Sequence, residues 1–366
     1  MKNRVRPNIL KVNQYVPGKP IEEVQRQLGL KEVVKLASNE NCLGPSPKAL
    51  ASIRKSLVNI NRYPDTSCFY LRKKLAKKLG VDEASLIFGN GSDEIICMAV
   101  RTFVAPGDEV VMAKPTFLIY EIVSQIQDAT VRFVPIDSSL KHDLRAMKDA
   151  VTERTKIVFI ANPDNPTGTY VTKNELESFL EGLPDKVVVF LDEAYFEFAN
   201  YMYRDYPNGT DYLDRPGVIV ARSFSKAYGL AGLRIGYGIS SPEVIGYMER
   251  TREPFNVNLL AQEAATAALD DKAFLKKSLE HVVREKEFLC SWLRKHNVDY
   301  IESATNFILV DVKADCKQVF NALLKKGVIV RDMKAWGMDS FIRVTVGTRA
   351  ENEKFLESLK SVIRRG

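Results

Sequence analysis

The chain has 366 residues, 45% of them hydrophobic and 27% charged, which predicts about two globular domains with a large buried core. No apolar run approaches the ~20 residues of a membrane span, and the opening "MKNRVRPNIL" lacks an apolar stretch after its basic residues, so a cytoplasmic protein is expected. The net charge of +7 is interleaved with acids rather than blocked; without a reading motif it argues poorly for nucleic acid and equally well for small anionic ligands.

In chain order, "IFGNGSDEIICMAVRTF" (Ile87 to Phe103) reads as a glycine turn opening a helix. "EVVMA" (Glu109 to Ala113) reads as a strand, "FLIYEIVSQIQ" as a helix and "TVRFVPI" as a strand. A helix over Leu144 to Val151, the strand "KIVFIA" (Lys156 to Ala161) and the helix "NELESFLEGL" follow. "KVVVFLDEA" (Lys186 to Ala194), "GVIVARS" (Gly217 to Ser223) and "RIGYGIS" are further strands. Apolar runs with little alternation, separated by helices, indicate strands buried on both faces of a mostly parallel sheet. This is an α/β architecture. From Leu259 the pattern changes to one long helical stretch. The strands "NFILVDV" and "GVIVRD" then flank the helix "CKQVFNALLKK", and "FIRVTVGT" precedes a closing helix. A large domain over 39–258 is expected, with a smaller one formed by 259–366 and the N-terminal 1–38.

Several residue types that carry other chemistries are poorly arranged for them. The five cysteines (Cys42, Cys68, Cys97, Cys290, Cys316) contain no CxxC and fit reduced thiols. The three histidines lack metal-ligand spacing, and no GxSxG is present, so neither a zinc site nor a serine–histidine triad is expected.

Ligands of open parallel sheets sit at the carboxyl ends of strands. Asp192 ends such a strand, and Asn165 sits in "ANPDNPTGTY", a turn set by Pro163, Pro166 and Gly168. Ser92 or Asp93 is placed to cap a helix whose free N–H groups welcome a phosphate. "ARSFSK" adds Ser223, Ser225 and Lys226, with Arg234 eight residues on. These parts suit a phosphorylated aldehyde on a pyridine ring. A lysine amine holds the aldehyde as a Schiff base. A carboxylate keeps the ring nitrogen protonated. Serines, an arginine and a helix start hold the phosphate. Asn165 and Tyr195 suit the ring hydroxyl, and Phe117 in "KPTFLIY" suits the ring face. Singly, each has a plainer reading: SxSK is common, Asp192 could be a helix cap or an ion-pair partner, and Phe117 could be core. The ordered set carries the inference.

That set resembles the fold type I pyridoxal-phosphate aminotransferases over nearly the whole chain. "LASNENCLGPSP" (Leu36 to Pro47), "NRYPD" (Asn61 to Asp65), "NPDNPTG", "LDEAYFEF", "SFSKAYGLAGLRIGYG" (Ser223 to Gly238), "REPFNVN" and "IRVTVGT" follow in the family's order. The resemblance implies a large domain on a mostly parallel seven-stranded sheet, a smaller C-terminal α/β domain, pyridoxal 5'-phosphate as cofactor and a homodimer with shared sites. It implies that Lys226 bonds the cofactor, with Asp192 on the ring nitrogen and Asn165 and Tyr195 on the ring hydroxyl. Ser223, Ser225, Arg234 and the backbone at Ser92 and Asp93 would hold the cofactor phosphate, and Tyr63 would reach the cofactor of the other subunit. Arg343 and Arg331 would take the anionic end of the substrate, with Tyr15 and Asn39 lining its pocket and Asn256 a further candidate there. The closest branch of the family exchanges the amine of a phosphate monoester with 2-oxoglutarate. Its rivals are an aminotransferase for aromatic amino acids, a decarboxylase of a phosphorylated hydroxy amino acid, and a regulatory protein that binds the cofactor without turnover. Two positions depart from the pattern: Cys42 stands where proline is expected, and Phe255 where some members carry tyrosine.

Overall fold

A computed structural model describes residues 4–363. Its strands are β1 (Val34–Lys35), β2 (Leu86–Gly89), β3 (Glu109–Lys114), β4 (Thr130–Pro135), β5 (Thr155–Ala161), β6 (Val188–Asp192), β7 (Val218–Ser223), β8 (Gly236–Ile239), β9 (Tyr300–Ile301), β10 (Phe307–Asp311), β11 (Val328–Ile329), β12 (Arg331–Asp332) and β13 (Phe341–Thr345). Seven of them form the large sheet, in the order β2-β8-β7-β6-β5-β3-β4. The strands β3 to β7 run parallel, and β8 runs antiparallel to both β7 and β2. The mostly parallel α/β sheet expected from the apolar runs is therefore present.

The runs lack alternation because both faces of this sheet are covered. Val158, Ile160, Val189 and Leu191 feed one core, whereas Ile157, Phe159, Phe190 and Ile219 feed the other. Short β2 escaped the sequence reading, since its four residues end in the glycine turn that announces the next helix.

The smaller unit is built on the sheet β12-β13-β10-β9 and the parallel pair β1-β11. Through that pair the N-terminal segment joins the C-terminal one, and Val24, Leu36 and Ala37 lie in the smaller core. "GVIVRD" is not one strand: Val328–Ile329 pairs with β1, while Arg331–Asp332 pairs with β13. The long helical stretch is likewise two helices, Leu259–Ala268 and Lys272–Lys295. Asp271 divides them. Its carboxylate accepts from Phe274 N at 3.2 Å, capping the second helix, and from Ser46 Oγ at 2.6 Å.

The helix Leu259–Ala268 buries Ala261, Ala264, Ala265 and Ala268 in the core of the large sheet. The next helix packs Leu279 and Val282 near Tyr195 and Ala227, and Leu289 and Leu293 in the smaller core. We therefore propose that the two units divide within Lys272–Lys295 rather than at residue 259. The sequence pattern marks a change at Leu259 but does not show against which sheet a helix with small buried side chains packs. Among the described residues no helix is long and apolar enough to cross a membrane.

Candidate active site

A cleft of about 910 Å³, its open mouth included, lies at the carboxyl ends of β5, β6 and β7. All the candidate cofactor and substrate residues line it except Tyr63 and Asn256. Lining residues Tyr15, Arg331 and Arg343 come from segments outside the large sheet, so the cleft is closed by the smaller unit.

Asp192 is 5% exposed and has no cationic partner among the described residues. It accepts a hydrogen bond from Tyr120 Oη at 2.7 Å and one from Ala194 N at 3.1 Å. Burial pushes its carboxyl up to about 6, against the pull of those two bonds. Tyr120 was missed in the sequence. It lies in the first turn of the helix Leu118–Ile126, three residues beyond Phe117, and its ring meets that of Phe117 edge-on at 5.6 Å.

Lys226 follows the end of β7. Its amine has no hydrogen-bond or ion-pair partner among the described residues and stands 5.6 Å from the centre of the Tyr195 ring. Its side chain is half-buried by surface area because it faces the cleft. Burial of the amine and the nearby charge of Arg343 push it down to about 8. Tyr195 Oη accepts from Asn39 Nδ2 at 2.8 Å, and burial pushes the phenol up to about 12.

The helix Ser92–Phe103 points its N-terminus at the same cleft. The sequence suggested a cap from Ser92 or Asp93, but the cap residue is Gly91 and no side chain caps the helix. Ser92 and Asp93 are the first two helical residues instead, which leaves the helix N–H groups open to an anion. Arg234 closes the spot, 3.1 Å from Asp93. Gly91 is required here: its φ is +86°, and a Cβ would lie 2.3 Å from Arg234 Nη2. On the other side, Ser223 Oγ accepts from Ser225 N at 3.0 Å.

Opposite these groups stand two arginines. Arg331 and Arg343 are cross-strand neighbours on β12 and β13, and both line the cleft. Like charges so paired repel. Neither forms an ion pair with a carboxylate among the described residues. Arg343 is 6% exposed, donates to Asn165 Oδ1 and to Ala37 O, and keeps a buried Nε without a partner. Arg331 Nη2 donates to Val16 O at 2.7 Å. An unneutralised pair of this kind suits an anionic ligand.

Two expected site residues lie elsewhere. Asn256 is tied up in the protein: Nδ2 donates to Phe88 O at 2.9 Å and Glu94 Oε2 at 2.8 Å, and Oδ1 accepts from Arg252 at 3.1 Å. It is a bracing residue rather than part of the cleft. Tyr63 is 82% exposed and stacks on Phe255, ring centres 4.6 Å apart. Phe255 has φ +55°, a backbone region that bulky side chains avoid. Cys42 lies 3.2 Å from His281 Nε2, yet that nitrogen also faces Gly347 O at 3.0 Å, while Nδ1 meets Arg284 Nη2 at 3.1 Å. The carbonyl requires a proton on Nε2, so His281 is no base toward the thiol. Burial pushes Cys42 up to about 12, and the pair is structural.

The cleft fits the phosphorylated pyridine aldehyde. It offers a buried carboxylate lacking a cation, an amine lacking a partner, and a helix start with a glycine cradle and an arginine. Comparison with known proteins agrees. The family described as aminotransferase class I and II matches residues 31–359. A histidinol-phosphate aminotransferase of Moorella thermoacetica is 49% identical over 98% of this chain and 93% of that protein. Histidinol-phosphate aminotransferase 2 of Carboxydothermus hydrogenoformans is 46% identical over 98% and 99%. The crystal structure of the histidinol-phosphate aminotransferase from Sinorhizobium meliloti, in complex with pyridoxal-5'-phosphate, superposes with a TM-score of 0.90 at 30% identity, covering 99% of this chain and 98% of that one.

Proposed function

The chain belongs to the aminotransferase class I and II family, and on that premise we propose that it is a pyridoxal-phosphate-dependent histidinol-phosphate aminotransferase of histidine biosynthesis. The amine of L-histidinol phosphate passes to 2-oxoglutarate, leaving imidazole-acetol phosphate and glutamate. The observation that carries this reading is the Arg331–Arg343 pair, two cations without a carboxylate counter-ion in the cleft that holds Lys226 and Asp192. A pocket that alternates between a phosphate monoester and a dicarboxylate needs arginine, whose fork pairs with either anion. Full-length identity of 49% and 46% to proteins of that name supports the same substrate.

When bound, pyridoxal phosphate supplies an aldehyde for the substrate amine and a ring that takes up the electron pair left when the Cα proton departs. The protein does the rest. Lys226 would hold the cofactor through its aldehyde and, once its amine is free, would take up and return the substrate Cα proton. Asp192 would keep a proton on the ring nitrogen, and Tyr120 steadies Asp192. Tyr195 and Asn165 would hold the ring hydroxyl, and Phe117 would pack against the ring. Ser92, Asp93, Ser223, Ser225 and Arg234 would hold the phosphate. Arg331 and Arg343 take the anionic end of the substrate, with Tyr15 and Asn39 beside it.

The test is the visible spectrum of the purified protein. The band of bound cofactor should bleach with L-histidinol phosphate and return with 2-oxoglutarate. Bleaching by tyrosine or phenylalanine alone would move the assignment to the aromatic rival, and release of carbon dioxide from phosphothreonine to the decarboxylase. Gly91→Ala is expected to raise the Kd for pyridoxal phosphate about tenfold, through the lost charge-assisted contact of Arg234; an unchanged Kd would show that the turn yields without moving Arg234.

The protein is read as a cytoplasmic homodimer. Val58, Ile60, Tyr63, Phe69 and Tyr70 are all at least half exposed and lie within one short stretch of chain. An exposed apolar patch of that kind suits a partner surface, and Tyr63 is the residue through which the second subunit would complete the site. Sedimentation of the holoenzyme as a monomer at micromolar concentration would exclude it.

A further inference from the structure

Behind the cleft, on the other face of the large sheet, lies an ion pair that touches no ligand position. Glu193 and Arg222 are 1% and 2% exposed. Arg222 Nε donates to Glu193 Oε2 at 2.8 Å, and Nη2 lies 2.7 Å from the same oxygen. Glu193 Oε1 accepts from Gly209 N at 2.8 Å. Arg222 also donates to Asn208, and its guanidinium lies 3.4 Å from the centre of the Phe196 ring.

The position of the pair gives it meaning. β6 and β7 run parallel with Asp192 opposite Ala221, and Glu193 N extends the ladder to Ala221 O at 2.8 Å. Side chains alternate along a strand. Asp192 and Ser223 line the cleft, and their chain neighbours Glu193 and Arg222 face away from it. Each member of the pair is thus joined by a peptide bond to a residue of the site. Removing two charges from water is costly, and an apolar pair of similar volume often serves stability as well. Fixing register is the best-attested use of such a pair.

We propose that Glu193 and Arg222 are positioning residues that lock the register and splay of the two strand ends, so that Asp192 and the Ser223–Lys226 segment meet one cofactor. A slip of one residue would turn Asp192 to the far face. Gly209 belongs to the same device: a Cβ there would lie 2.9 Å from Glu193 Oε1. The proposal rests on the pyridoxal-phosphate reading above.

The test uses the double variant Glu193→Leu/Arg222→Met, because losing one charge alone strands the other, and the milder Glu193→Gln. Four quantities are measured against the parent: thermal midpoint, Kd for pyridoxal phosphate, induced circular dichroism of the bound cofactor, and kcat with KM. The double variant should melt within about 5 °C of the parent. Its Kd should rise and its kcat fall by about tenfold or more, with weakened dichroism, because misplacement by 1 Å is costly to a reacting geometry. KM should stay within about threefold, since the substrate arginines are on other strands. Glu193→Gln keeps one acceptor oxygen, for Gly209 N or for Arg222, and sets its NH2 against the other donor, so it should show about a threefold loss. A folded double variant with parental Kd, dichroism and kcat overturns the proposal, as does a lowered midpoint with those three unchanged. Should the double variant fail to fold, parental values in Glu193→Gln overturn it. A parent protein that binds no pyridoxal phosphate defeats the proposed function as well, whereas a parent that binds it and variants that bind it equally defeat only the positioning role.

Discussion

Lys226→Ala is expected to lower transamination by about 10⁴-fold or more, the upper range for loss of a positioned acid–base group, and to remove the visible band of the lysine-bound cofactor. The reason lies in where the amine sits. An exposed lysine is protonated at neutral pH and cannot take a proton from carbon. Lys226 is pushed down to about 8 by burial and by Arg343, so an appreciable fraction is neutral under working conditions. No acidic side chain pairs with it among the described residues. The measurement is kcat for L-histidinol phosphate and 2-oxoglutarate at saturating cofactor. Partial rescue by a small exogenous amine would show that the variant lost its base rather than its fold. Turnover within about tenfold of the parent would overturn the role, since that is less than general acid–base groups ordinarily contribute.

Asp192→Asn is expected to have two opposite effects. With cofactor bound, kcat should fall by about 10²-fold or more, because an amide cannot hold the ring nitrogen in its protonated form. Without cofactor, the variant should be more stable than the parent. Burial pushes the aspartate carboxyl up from an ordinary 3.8 to about 6 in the folded protein. Between those values the native state binds more protons than the unfolded one, so parental stability falls as pH rises through that window. Above it the parent carries the whole burden of a buried, uncompensated carboxylate, which the shift sets at about 3 kcal/mol. The asparagine has no such burden. Cofactor-free Asp192→Asn should therefore melt above the parent at pH 7.5, with the gap closing toward pH 4. Adding pyridoxal phosphate should reverse the order, since the pyridinium supplies the missing cation. A gap that does not change with pH would rule out ionisation of Asp192 as its source.

Much of the site is legible in the chain because its groups stand at the ends of strands, where local pattern alone marks the place. "VVVFLD" is a buried strand with a carboxylate at its carboxyl end, and "VIVARSFSK" repeats the arrangement with serines and a lysine. Neither statement depends on any distant residue. The parts that escaped depend on partners far along the chain. Tyr120 reaches Asp192 across 72 positions. Asn256 looked available for substrate, yet its amide is spent on Phe88 and Glu94, more than 160 positions away. The capping role suggested for Ser92 or Asp93 failed for a local reason: Gly91, at φ +86°, already ends the turn.

The amino-acid sequence by itself determined the α/β class, the parallel strand set and the order of the chemical groups. Each of these follows from periodicity or from a motif within about a dozen residues. Only the tertiary structure decided which charges would be left without a counter-ion. Arg331 and Arg343 became neighbours through the register of β12 on β13, and Asp192 became a lone carboxylate because both faces of the sheet around it are packed. Tertiary packing also assigned Leu259–Ala268 to the large core and made Asp271 a divide between two helices. Burial and register are properties of surfaces that meet in space, and residues far apart in the chain make those surfaces.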